Sequence, residues 1–144
     1  MRINGEWYLC DDGVVRPVIR AEILARDGSW KRALMLVDIG ADRTVLAATV
    51  ASLLGLDGTP GGPGIAGVGG PADSLEYETV LRLTDDKRVS VTFRGQFAAV
   101  TDLETLDMSV LGRDITRWFA VIVDQPQSVV CLLSQRHRYR IEFV

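Results

Sequence analysis

The sequence has little of what metal and disulfide chemistry require. Among its 144 residues are two cysteines, Cys10 and Cys131, and one histidine, His137. That set is too small for the four N/S ligands of a structural zinc site, so no metal is expected. The two cysteines lie far apart and form no CxxC. They can pair only if the fold brings them together, and the default expectation is two reduced thiols in a cytoplasmic protein. Met1-Arg2-Ile3-Asn4-Gly5-Glu6 lacks the apolar core of a secretory signal. No apolar run is long enough to span a bilayer, so no membrane partner is expected. The formal net charge is only −3, which gives no strong single-sign field for nucleic acid. What is present is apolar: 47% hydrophobic residues argue against disorder and for one domain, residues 1–144, with a real core.

The apolar residues fall mostly in short runs broken by turn residues. Runs at 6–10 and 14–24 flank Asp11-Asp12-Gly13, a hairpin-type turn. Pro17 inside the second run suggests an edge or a strand start. Asp27-Gly28 precedes a strand that runs to Asp38. Residues 44–54 change period and suit a short helix, with Gly55 as its C-terminal cap. Runs at 75–84 and 89–100 flank Asp85-Asp86-Lys87, with Tyr77, Thr79, Leu81 and Leu83 on one face. Residues 101–107 read as a loop, 108–111 as a strand, 115–119 as a helical turn, and 120–123 and 128–133 as strands. Residues 136–143 alternate strictly. Their basic, aromatic-bearing pattern reads as the solvated face of a terminal strand rather than an RNA contact, and His137 has no acid or nucleophile beside it. Strands this short and close predict a mainly β chain, a barrel or sandwich with one or two short helices.

Two stretches carry chemistry. In residues 33–46 five apolar residues run into Asp38, followed by Ile39-Gly40-Ala41-Asp42. A carboxylate at the end of a buried strand loses solvation and must be offset by hydrogen bonds or a partner. Gly40 lets the backbone turn its N–H groups toward that carboxylate. Further on, residues 58–71 are dense in glycine and contain GxGxxG at Gly62, Gly64 and Gly67. No strand feeds this motif and no helix opens from it, so the dinucleotide reading fails and a surface loop or lid remains.

The Asp38-Ile39-Gly40-Ala41 turn, the Gly-rich stretch, and Leu111-Gly112-Arg113-Asp114 occur in an order that resembles the retropepsins, the retroviral-type aspartic proteases, over residues 17–133. The resemblance implies a retropepsin-like closed β-barrel, the acid-protease fold, in a single domain. It implies an aspartic endopeptidase that needs no cofactor. One chain carries one motif Asp, and the chemistry needs a base and an acid, so the implied species is a homodimer with Asp38 from each subunit, acting on a peptide or protein. The family also implies a flap at about 58–78. Ile65, Ala66, Gly67 and Val68 would touch substrate, with Gly40, Ala41 and Asp42 binding its main chain. Leu111, Gly112 and Arg113 would support the site, Arg113 by pairing with Asp42. Ile39 departs from the pattern, because the family has Thr or Ser there, whose hydroxyl bonds across the dimer axis. That departure opens an alternative: a weak or inactive retropepsin-like module for dimerisation or peptide binding. A third reading is an unrelated small β-barrel.

Overall fold

A computed structural model of the chain describes residues 1–61, 65–67 and 70–134. The expected terminal strand, with His137, and the expected flap residue Val68 lie outside those residues. In chain order the elements are β1 (Arg2–Asn4), β2 (Glu6–Leu9), β3 (Val15–Leu24), β4 (Trp30–Val37), β5 (Val45–Leu46) and α1 (Ala48–Leu54). There follow β6 (Thr59–Pro60), β7 (Ile65–Gly67), β8 (Gly70–Ala72), β9 (Ser74–Thr84), β10 (Ser90–Val100) and β11 (Ser109–Leu111). The last described elements are α2 (Arg113–Thr116), β12 (Ala120–Asp124) and β13 (Val129–Leu133).

Six strands close a barrel in the order β3-β4-β11-β5-β10-β9, with β9 pairing back onto β3 through Glu22–Arg82 and Ile23–Leu81. Alternation places Tyr77, Thr79, Leu81 and Leu83 of β9 inward, as the sequence predicts, and all four are buried. Tyr77, Leu81 and Leu83 join Ile19, Ile23, Met35, Leu46 and Leu111, each of these five completely or almost completely buried, in one core. Fully burying such a side chain contributes about 1.5–3 kcal/mol. Pro17 pairs with Trp7 of β2 but lies beyond the β3–β4 ladder, whose first pair is Val18–Leu36, so its missing N–H removes nothing from that ladder. A second, three-stranded sheet has the order β1-β13-β12. Cys10 and Cys131 are both buried and unpaired.

Three boundaries differ from the sequence reading. The helix expected from residue 44 starts at Ala48, because Val45 and Leu46 are taken into β5. There they pair in parallel with Ala98 and Ala99, and Val45 also pairs with Val110. Tertiary pairing thus overrides a helical period in a short segment. Gly55 does cap α1, in the left-handed conformation at φ 60. The helical turn expected at 115–119 begins at Arg113, since Gly112 already stands at its N-cap in extended conformation. Strand β1 has no counterpart in the sequence reading; three residues, only one of them buried, leave no periodic signal.

This topology fixes the turn after Asp38. The chain leaves β4, turns through residues 38–44 and returns as β5. Strand β11 slots between the two, Val110 pairing with both Leu36 and Val45. Any residue in the turn is therefore held from both sides by one sheet.

Candidate active site

Asp38 follows the last residue of β4 and is half-buried. Its own N–H donates to the Leu111 carbonyl at 3.2 Å, which ties the turn to β11. Its Oδ1 accepts from the Gly40 N–H at 2.8 Å and from the Ala41 N–H at 3.3 Å. The sequence called for hydrogen bonds to offset lost solvation, and these two backbone donors supply them. Among the described residues no side chain bonds Oδ2 and no cation pairs with the carboxylate. A Cβ at Gly40 would sit 3.1 Å from Oδ1, so glycine permits the close approach. The resulting group is an oriented carboxylate with one oxygen held and the other open, able to take or give a proton.

Ile39, at the apex of the turn, is 62% exposed in the single chain. Asp42 and Arg113 form the ion pair that the resemblance implied. Both side chains are exposed, at 78% and 59%, so the pair lies at the surface of the chain. The backbone reinforces it: the Arg113 N–H donates to the Ala41 carbonyl at 2.8 Å, and the Asp114 N–H to the Asp42 carbonyl at 3.3 Å.

Beneath this surface lies a polar hub that sequence reasoning missed. Thr44 is fully buried. Its hydroxyl donates to Asp114 Oδ1 at 2.7 Å and accepts from the Gly112 N–H at 3.1 Å. The same Oδ1 accepts from the N–H groups of Thr44 at 2.9 Å and Ile115 at 3.0 Å. Gly112 is required by contact, since a Cβ there would stand 2.3 Å from the Arg43 carbonyl carbon. Nearby, the Ala47 N–H donates to the buried Ser109 hydroxyl at 3.0 Å. Leu111 anchors this segment in the core with no exposure.

Arg43, the next unpredicted member, reaches Glu76 of β9 with two parallel bonds of 2.7 Å. This bidentate pair raises the arginine above its ordinary pKa. It joins the Asp38 turn to the strand that follows the β7–β8 hairpin. In that hairpin Ile65 faces Ala72 across the ladder, and both lean on a small cluster of Val45, Ala48, Ala98 and Val100. Ala66 and Gly67 lie in β7. Among the described residues no group of three His, Cys, Asp or Glu side chains is placed to hold a metal ion. Among the described residues no helix is long and apolar enough to cross a membrane.

No family model and no curated protein matches the sequence. Solved structures do match. EIAV protease, complexed with the inhibitor HBY-793, superposes with a TM-score of 0.52 at 25% identity, over 71% of this chain and 86% of that one. A retropepsin-like aspartic protease from Rickettsia conorii superposes with a TM-score of 0.58 at 18% identity, over 92% of this chain and 89% of that one. The second likeness is one of fold. Together with the closed six-stranded barrel and the Asp38 turn held against β11, these matches show that the chain has the retropepsin-like fold and is similar to the retropepsin-like aspartic proteases.

Proposed function

We propose that this protein is an aspartic endopeptidase that works as a homodimer. The observation that carries the reading is the Asp38 carboxylate, held through one oxygen by the Gly40 and Ala41 N–H groups at the end of a buried strand. It sits in a fold shared with a retroviral protease at 25% identity. One such carboxylate is an incomplete machine. Peptide hydrolysis needs a base to take a proton from water and an acid to protonate the carbonyl oxygen. Asp38 and Asp38 of the partner subunit, facing each other across a two-fold axis, supply both by sharing one proton. The ionised member takes a proton from water as its oxygen attacks the peptide carbonyl carbon. The protonated member gives its proton to the carbonyl oxygen. Collapse of the tetrahedral intermediate then breaks the C–N bond, with a proton delivered to the leaving amine.

In this reading Gly40, Ala41 and Asp42 bind the substrate main chain, and the β7–β8 hairpin serves as the flap, with β7 (Ile65–Gly67) over the peptide. Strapping by Arg43 and Glu76 holds the base of that hairpin near the catalytic turn. Replacing Asp38 by Asn keeps the size and the two accepted hydrogen bonds but removes the base. Purified Asp38→Asn protein should retain its fold and lose peptide cleavage; undiminished cleavage would refute the assignment.

A second reading has its own support. Ile39 offers no donor or acceptor where the family has Thr or Ser. A chain that dimerises and binds peptides without cutting them is consistent with that residue. Acid-range cleavage blocked by a statine-type transition-state mimic separates the two readings.

A further inference from the structure

Strands β2 and β3 pair from Glu6–Val18 to Leu9–Val15 and form a two-stranded ribbon that turns at Asp11-Asp12-Gly13. The β3–β4 ladder ends at Val18–Leu36, so this ribbon and the Asp38 turn leave the barrel at the same end. The ribbon is held stiffly. At its base the Gly5 N–H donates to the Val130 carbonyl at 2.7 Å, and Trp7 Nε1 donates to the Asp124 carbonyl at 3.2 Å. At its tip the Cys10 N–H donates to the Val14 carbonyl at 2.9 Å, and Arg16 grips Asp12 with two bonds of 2.9 and 2.6 Å. Arg16 also stands 3.8 Å from Asp107, just before β11, whose Leu111 carbonyl holds the Asp38 N–H. The same ribbon presents apolar side chains to water. Leu9 and Val15 are register partners and share one face, 64% and 42% exposed. Of the ten large apolar side chains exposed among the described residues, Tyr8, Leu9, Val14 and Val15 stand on this ribbon. Such a concentration on a rigid element marks a protein contact.

We propose, resting on the homodimer reading above, that the ribbon is an arm whose Leu9–Val15 face docks on a second copy of this chain beside its Asp38 turn. Two observations choose that occupant. The arm leaves the barrel at the end that carries Asp38, where the homodimer reading sets the two-fold axis. Leu9 and Val15 carry no charge, so the face can lie close to its own copy across that axis without like-charge repulsion. A third observation lowers the cost of docking: the base and tip bonds already order the arm, so little conformational entropy is lost on association. The Arg16–Asp12 pair then stiffens the arm, and the contact of Arg16 with Asp107 ties it to the segment that leads into β11.

The test is the dimer dissociation constant, measured by sedimentation on the purified chain. Leu9→Lys/Val15→Lys puts a charge in place of each apolar contact on both copies and should weaken dimerisation at least about tenfold. Leu53→Lys alters a side chain of similar exposure, 59%, on α1 and should leave the constant unchanged. A second measurement needs no substitution. The Leu9 and Val15 methyl signals of the unaltered protein should shift as its concentration rises through the dissociation constant, and those of Leu53 should not. A dimer indifferent to the double substitution, with Leu9 and Val15 signals that ignore concentration, would overturn the arm and leave the homodimer reading standing. A chain that stays monomeric at every concentration would overturn both. Shifts that follow an added apolar peptide while the chain stays monomeric would assign the face to a peptide and would overturn the arm as well. An arm-dependent dimer that cleaves nothing would support the arm and refute the protease reading alone.

Discussion

Replacing Thr44 by Val tests whether the hub beneath the Asp38 turn holds the candidate site together. Val keeps the β-branched shape, so the change is confined to the hydroxyl. That hydroxyl makes two bonds at a fully buried position, to Asp114 Oδ1 at 2.7 Å and from the Gly112 N–H at 3.1 Å. Stranding the Gly112 N–H without a partner costs about 1–3 kcal/mol. The bond to the carboxylate would be worth about 1.5–3 kcal/mol alone, but Oδ1 keeps two other donors, the N–H groups of Thr44 and Ile115, which reduces that loss to about 1 kcal/mol. The sum is about 2–4 kcal/mol. Urea unfolding of Thr44→Val should show that loss with an unchanged slope. Asp114→Asn retains an acceptor oxygen and should cost less. Thr84→Val removes a hydroxyl contact to Ser90 at the surface and should stay within about 0.5 kcal/mol of the parent. If Thr44→Val costs no more than Thr84→Val, the hub does not stabilise the turn and the reasoning fails.

Arg113→Ala removes an exposed ion pair, so the unfolding free energy of the monomer should fall by only about 0–1 kcal/mol. Under the dimer reading its effect on dimer affinity, measured by sedimentation, should be the larger of the two. Ile39→Thr changes an exposed side chain and should leave monomer stability within about 0.5 kcal/mol. If its hydroxyl bonds across the axis twice, dimerisation should tighten by about one to two orders of magnitude and cleavage should rise; an unchanged dissociation constant contradicts that geometry. Asp12 is held down to about 2 chiefly by its hydrogen bond from Arg16. A depressed carboxyl contributes stability above its ordinary value and loses it as pH falls through the folded one. The stability gap between the parent and Asp12→Asn should therefore close between about pH 4 and pH 2, read from unfolding curves across that range.

The parts of the site that could be read from sequence were those with a local cause. A five-residue apolar run into Asp38 marks a buried strand end, and Gly40 beside it marks a turn that presents N–H groups. The Asp85 hairpin and the Gly55 cap were legible for the same reason, since turn chemistry acts within a few residues. The Asp42–Arg113 pair, 71 residues apart, was reached only through resemblance. The Thr44–Asp114–Gly112 hub and the Arg43–Glu76 strap stayed hidden, because each joins residues dozens of positions apart and neither leaves a period or a turn signal. Strand β5 was misread because two apolar residues fit a helical face as well as a strand. Only the parallel pairing with Ala98 and Ala99 decides between them.

The central claim is that two chains each bring one Asp38 to a single reaction. Mixing the unaltered protein with Asp38→Asn protein tests it directly. With equal amounts of both and free exchange of subunits, random pairing leaves a quarter of the dimers with two aspartates. Peptide cleavage per unaltered chain should then fall to about half its value without the variant, and further as the variant is added in excess. Cleavage per unaltered chain that stays constant at every ratio, with subunit exchange verified by sedimentation, would contradict the shared site.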